Sequence, residues 1–212
     1  MRLSSPAWAN GEPIPERYAR AGVHAGGHVV PAENLSPPLV WSGVPPEARS
    51  LVLICQDFDA LALSDAVQRV GGEWPVDAPR TDVFHWVLID LPVHVVGLTE
   101  GPCRPLLAEG AKPSPADWQS VRRGVHEVRG GATGLVELAP GASGYDGPCP
   151  PPDDGLVHHI VFTLYALSVP RLALEGRFGG VQVMKAMVGH VLASATHSGT
   201  YTLNRRLRPS NS

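Results

Sequence analysis

Val157-His158-His159-Ile160-Val161-Phe162-Thr163-Leu164-Tyr165-Ala166-Leu167 decides the fold. β-branched and aromatic residues crowd this run, it holds neither Gly nor Pro, and both of its alternating faces are apolar. A strand apolar on both faces has to be covered on both faces. Two other stretches read the same way. Ser50-Leu51-Val52-Leu53-Ile54-Cys55-Gln56-Asp57 is one, and Val83-Phe84-His85-Trp86-Val87-Leu88-Ile89-Asp90-Leu91, stopped by Pro92, is the other. Working outward, Glu12-Pro13-Ile14-Pro15 is an extended arm, because Pro forbids continued helix and pushes its predecessor toward β. Ser36-Pro37-Pro38-Leu39-Val40-Trp41 is a second extended piece, and Val44-Pro45-Pro46 makes a turn.

The remaining segments are less regular. Residues 60–82 form a long insertion in which Ser64 to Gln68 suits one helical turn, ended by Gly71-Gly72. Residues 99–150 carry little periodicity and read as loop, with short edge strands such as 134–138. Val183, Met184, Met187, Val188, Val191, Leu192 and Ala195 recur at three- and four-residue spacing, which predicts an amphipathic C-terminal helix over 181–196. Gly199 to Leu203 then returns to an extended piece.

With 23 Gly and 22 Pro spread without a period, the chain has the usage of many short elements joined by turns, and a mostly-β class follows. Apolar residues at 43 % and charged residues at 17 % are globular composition, and 212 residues suit a single domain spanning 1–212. The net charge is −3 and no Lys/Arg cluster interleaves with aromatics, so a nucleic-acid partner is not expected. Arg205, Arg206 and Arg208 read as a solvated basic tail. Three cysteines, Cys55, Cys103 and Cys149, make an odd count with no CxxC, which argues against a disulfide scaffold and a zinc site. No stretch approaches about 18 consecutive apolar residues, and the N-terminus lacks a signal-peptide pattern. A reducing cytoplasm fits these features.

Chemistry-bearing residues cluster near the strand ends. Asp57 continues the face of Leu51, Leu53 and Cys55, and an acid in a core-facing register has to be paired or hydrogen-bonded; capping a turn is the plainer reading. His85 sits in an apolar strand whose neighbours Phe84 and Trp86 face the other way, and a satisfied core histidine is its plainer reading. His158 and His159 are adjacent, so only one of them shares a face with His85. Gly144-Tyr145-Asp146-Gly147-Pro148-Cys149-Pro150-Pro151-Pro152 is a stiff loop, in which a bare N–H at Gly147 would suit an anion. No nucleophile elbow, phosphate loop or HExxH occurs.

Together, and in this order, these pieces resemble the phosphatidylethanolamine-binding protein family in its bacterial, Raf-kinase-inhibitor-like branch. The similarity runs from Asn34-Leu35-Ser36-Pro37-Pro38-Leu39-Val40-Trp41 through the Asp57-Phe58-Asp59-Ala60 motif, the His85-Trp86 strand, the Gly144 to Pro152 loop and the strand from His158, to Gly199-Thr200-Tyr201, about 30–203 in all. The resemblance implies a β-sandwich of two antiparallel sheets with Greek-key connections and a C-terminal helix. It implies an anion pocket formed by Asp57, His85, Gly147, Pro150, Pro151 and His158, with Asp59 and Tyr145 as weaker candidates at its mouth. Members often pair as homodimers. Asp57-Phe58-Asp59-Ala60-Leu61 lacks the two prolines of the family motif, which predicts a looser wall here. Ile160 stands where many members place an aromatic, which removes a hydroxyl contact.

Two function classes follow, besides a plain scaffold with a vestigial pocket. The leading one is a binding protein without cofactor or metal, whose partner is a small anionic ligand such as a phosphate or carboxylate head group. The alternative is a hydrolase-type enzyme using His85, His158 and Asp57 as acid and base.

Overall fold

The fold is that of a computed structural model describing residues 1–62, 74–102, 122–123 and 144–208. Twelve strands are present among them: β1 (Arg2–Ser4), β2 (Ala21–Val23), β3 (Val29–Pro31), β4 (Leu35–Ser36), β5 (Leu39–Ser42), β6 (Ser50–Leu61), β7 (Arg80–Leu91), β8 (Gly97–Leu98), β9 (Gly101–Pro102), β10 (Arg122–Arg123), β11 (His158–Leu167) and β12 (Val191–Tyr201). One α-helix, α1 (Gly180–Ala186), lies between β11 and β12 among the described residues, and a single 3-10 turn spans Glu16–Tyr18. The helical turn expected within Ser64–Gln68, the edge strand at 134–138 and Cys103 fall outside the described residues.

The three apolar runs become the centre of a five-stranded antiparallel sheet ordered β10-β7-β6-β11-β12. A three-stranded antiparallel sheet, β1-β5-β8, forms the second layer. β11 pairs with β6 and not with its predecessors β9 and β10, a long-range return that suits the Greek-key expectation. Alternation along β6 explains why both faces need cover. Leu51, Leu53 and Cys55 enter one core with Leu3, Leu39, Trp41 and Leu98 of the smaller sheet. Val52 and Ile54 enter another with Phe84, Val87, Ile89, Phe178, Val183 and Met187, beneath α1. Each fully buried Leu or Ile contributes roughly 1.5–3 kcal/mol relative to exposure. A one-residue slip of β6 would exchange its two faces, so both cores hold its register.

The N-terminal arm is extended over Glu12–Pro15 as expected, and its partner is β12. The amides of Gly11 and Ile14 donate to the carbonyls of Ser198 and Thr200, at 2.9 Å each, and the Thr200 amide donates to the Glu12 carbonyl. Trp8, Ile14 and Tyr18 thereby enter the core that faces the smaller sheet.

The C-terminal helix is much shorter than its apolar spacing predicts. α1 ends at Ala186, and residues 191–201 are a strand instead of helix. Gly189, with φ +79°, takes the left-handed conformation that ends a helix. Downstream of it, the pattern that read as three/four spacing is also compatible with pairing along β11, and tertiary pairing decides. Val183 and Met187 are buried, whereas Val181, Met184, Val188, Val191 and Leu192 are exposed.

α1 rests on β7 through Gly180. A Cβ there would lie 2.0 Å from the Phe84 ring, which is buried. Gly180→Ala should therefore lower stability to urea unfolding by about 1–3 kcal/mol, the usual cost of overpacking. Unchanged stability would contradict this contact.

Candidate functional site

Strand pairing brings the first two site residues together. Ile160 of β11 lies opposite Asp57 of β6, so His158, two residues before Ile160, shares the Asp57 face. His158 Nδ1 is 2.7 Å from Asp57 Oδ2. Both side chains are buried.

His85 reaches the same site by a different route from simple alternation. Phe84 and Trp86 do not share a face: Phe84 packs under α1, Trp86 in the opposite core. The register explains this, since Cys55 pairs with Trp86 while its neighbour Gln56 pairs with Phe84. His85 is the extra residue of a β-bulge, a device that re-aims a side chain. Its Nε2 lies 4.0 Å from Asp57 Oδ2, too far for a hydrogen bond.

The loop after Gly144 holds His85 from behind. His85 Nδ1 donates to the Asp146 carbonyl at 2.6 Å, and the Asp146 amide donates to the His85 carbonyl at 3.0 Å. A carbonyl only accepts, so the proton of the neutral ring is on Nδ1 and Nε2 carries the lone pair. That Nε2 is buried and has no hydrogen-bond partner among the described residues.

A second carboxylate completes the cluster. His158 Nε2 is 3.0 Å from Asp154 Oδ2, and Arg80 grips Asp154 through both terminal nitrogens, at 2.7 and 3.0 Å. Arg80, His158, Asp57 and Asp154 thus form a chain of two cations and two anions, buried except at Arg80. Burial alone would lower the His158 pKa, but its hydrogen bonds to Asp154 and Asp57 outweigh that and push it up to about 9. Burial alone would raise the Asp57 and Asp154 carboxyls. For Asp57, His158 and then His85 hold it well below the ordinary carboxylate value; for Asp154, His158 and Arg80 do so.

Other expected site residues do not converge here. The Gly147 amide is not bare: it donates to Asn34 Oδ1 at 2.7 Å. What approaches Gly147 closely is backbone, since a Cβ there would lie 2.3 Å from the Tyr18 carbonyl oxygen. Tyr145 lines no mouth. It is buried, stacked on Phe162 and edge-on to Trp86, with its hydroxyl donated to the Tyr18 carbonyl. Asp59 turns to His159, accepting both its amide and its Nδ1 at 2.8 Å. Pro150 is buried and Pro151 half-buried, and the Pro151 carbonyl accepts the Asp154 amide, closing the turn that presents that carboxylate. Without prolines, β6 continues past Asp57, pairing Ala60 with Thr81 and Leu61 with Arg80, so ladder bonds replace the expected looser wall. The Asp59 amide donates to Asp57 Oδ1 at 2.8 Å, which also helps to fix that carboxylate.

Asp154, Arg80, Asp146 and Asn34 escaped sequence reasoning. The Pro-Pro-Asp-Asp-Gly turn, four residues before His158, was the available signal for Asp154. Arg80 carried none, being 74 residues away from Asp154. Asn34, with φ +54°, uses its side chain twice, on Gly147 and on the Asp146 carboxylate.

Comparison with known proteins places this geometry in context. The family model described as "Phosphatidylethanolamine-binding protein" matches residues 4–202, which adds the N-terminal arm to the span recognised from motifs. A UPF0098 protein of Methanothermobacter thermautotrophicus is 34 % identical over 202 residues, covering 95 % of this chain and 98 % of that one. A crystal structure described as a putative phosphatidylethanolamine-binding protein homolog, CT736 of Chlamydia trachomatis, aligns with a TM-score of 0.61 at 30 % identity, covering 94 % of this chain and 95 % of that one. E. coli YbcL, with a TM-score of 0.66 at 22 % identity over 95 % and 97 % of the two chains, shares the fold.

The charge chain predicts a pH dependence of stability. A histidine whose pKa rises from 6.5 to about 9 on folding stabilises the native state fully below the lower value, and that contribution is lost as pH rises through the upper one. Urea unfolding should show stability falling across this window in the native chain, and falling less in His158→Gln. Parallel profiles for the two proteins would contradict the paired imidazolium.

Proposed function

The chain belongs to the phosphatidylethanolamine-binding protein family, and on that premise we propose that it is a binding protein whose ligand presents a small anionic head group, a phosphate or a carboxylate, to His85. One observation carries this reading: the buried Nε2 of His85 has no hydrogen-bond partner among the described residues. Buried polar atoms are nearly always paired, and an unpaired one in a native site calls for an absent partner. His85 is pre-oriented for one, because Asp146 fixes its ring through Nδ1. When His85 is protonated, Nε2–H donates to an anion. Protonation and anion binding then strengthen each other.

The hydrolase reading is weaker on physical grounds. His158 has both nitrogens committed to carboxylates, so it lacks the free lone pair of a general base. Binding without turnover is accordingly the function we assign. The buried Cys55 is a free thiol, which supports placing the protein in a reducing cytoplasm.

Calorimetric titration with sulfate tests this reading, because sulfate keeps a constant charge where phosphate titrates, near pH ~6. His85→Ala should weaken binding by about 1–3 kcal/mol, the scale of a lost charge-assisted hydrogen bond, while replacing the exposed His94 with Ala changes nothing. Acetate titrated in parallel separates a carboxylate from a phosphate-like preference. Equal sulfate affinity in the native chain and His85→Ala would overturn the assignment.

A further inference from the structure

The Asp154 carboxylate is held as a bound anion is held. Arg80 donates Nη1–H to its Oδ2 at 2.7 Å and Nη2–H to its Oδ1 at 3.0 Å. His158 donates Nε2–H to Oδ2 at 3.0 Å, and the Leu156 amide donates to Oδ1 at 3.0 Å. Four N–H groups, from β7, from β11 and from the turn between Pro151 and Leu156, thus converge on two oxygens. Asp154 is 0 % exposed. A bidentate guanidinium, an imidazolium and a backbone amide form a cradle suited to carboxylate, sulfate or phosphate oxygens alike.

A role in the turn alone accounts for one of these bonds. The Leu156 amide bond to Oδ1 is an Asx-turn contact, which Asn or Ser also provides. The Arg80 and His158 bonds go beyond that need and are charge-assisted, while Arg80 also donates to the carbonyls of Asp59, Pro75 and Val76.

We propose that Asp154 is the built-in occupant of an anion subsite formed by Arg80, His158 and the Leu156 amide, and that it keeps external anions from those groups. This rests on reading His85 as the ligand contact. In the native chain the Asp154–His158–Asp57 run occupies both ring nitrogens of His158, which leaves the Nε2 of His85 as the imidazole nitrogen of the cluster without a partner among the described residues. Asp154 therefore acts as a specificity residue: it restricts the pocket to head groups that one histidine can hold, and it disfavours polyanions that would need both cations. Arg80, whose side chain is 15 % exposed, is the edge from which an external anion reaches the subsite once the carboxylate is gone.

Removing the carboxylate tests this. Asp154→Ser keeps an acceptor for the Leu156 amide and opens the space of a carboxylate beside two cations. At constant ionic strength, calorimetry should find sulfate bound at least about tenfold tighter than by the native chain, a factor equivalent to about 1.4 kcal/mol. Adding Arg80→Ala to this variant should cancel the gain. Should Asp154→Ser fail to fold, Asp154→Asn, which keeps the shape and the turn acceptor without the charge, decides by the same titration, with a gain of at least about threefold expected. Sulfate affinity within twofold of native in the folded variant, or a gain that survives loss of Arg80, overturns the proposal. The two readings fail separately. If His85→Ala binds like the native chain while Asp154→Ser gains, the His85 assignment falls and the subsite stands. If His85→Ala loses affinity while the Asp154 variants gain none, the reverse holds.

Discussion

The imidazolium of His158, held between the carboxylates of Asp57 and Asp154, is the interaction on which this end of the molecule depends. Taking an ion out of water costs several kcal/mol, which is offset only where the partners are fixed at hydrogen-bond distance. Each partner here is fixed by a different part of the chain. Asp57 is placed by the pairing of β6 with β11, Asp154 by the turn after the three prolines, and Arg80 by the first residue of β7. Withdrawing any one of them strands a charge in the interior, a loss on the order of 3–5 kcal/mol. The cluster therefore couples the sheet to the loop, and the bulge that presents His85 is built on the same strands.

Much of this frame was legible in the sequence, and the failures have physical causes. Runs apolar on both faces identified β6, β7 and β11, because only a doubly covered strand tolerates them. Alternation put Asp57 on the face of Leu51, Leu53 and Cys55, and the family resemblance joined it to His158. Alternation failed at His85, where a bulge inserts a half-step that no residue type announces. Apolar spacing over 183–195 failed too, since three/four periodicity is ambiguous when a strand with small residues follows a short helix. Gly189 was the overlooked stop signal. The amide of Gly147 was read as open because a loop's own partners are invisible from its sequence; Asn34, far away in the chain, claims it. The Arg80–Asp154 pair was missed for the same reason.

These departures bear on the pocket more than on the fold. The smaller sheet, the central five strands and the short helix follow from burial, and solved structures with 22–30 % identity share the architecture. Within that architecture strand pairing continues past Asp57, and an internal carboxylate is set against His158. The proposed binding role rests on His85, whose ring is fixed by Asp146 through Nδ1 and whose Nε2 has no hydrogen-bond partner among the described residues.

The protonation of the two ring systems is the most direct test of this account. Long-range nitrogen–proton NMR correlation on the histidine side chains reads the state of each ring nitrogen. His158 should show both nitrogens protonated at neutral pH and titrate near 9, while the neutral form of His85 should carry its proton on Nδ1. A neutral His158 ring at pH ~7, or a His85 protonated on Nε2 alone, would contradict the charge chain and the orientation of the His85 ring.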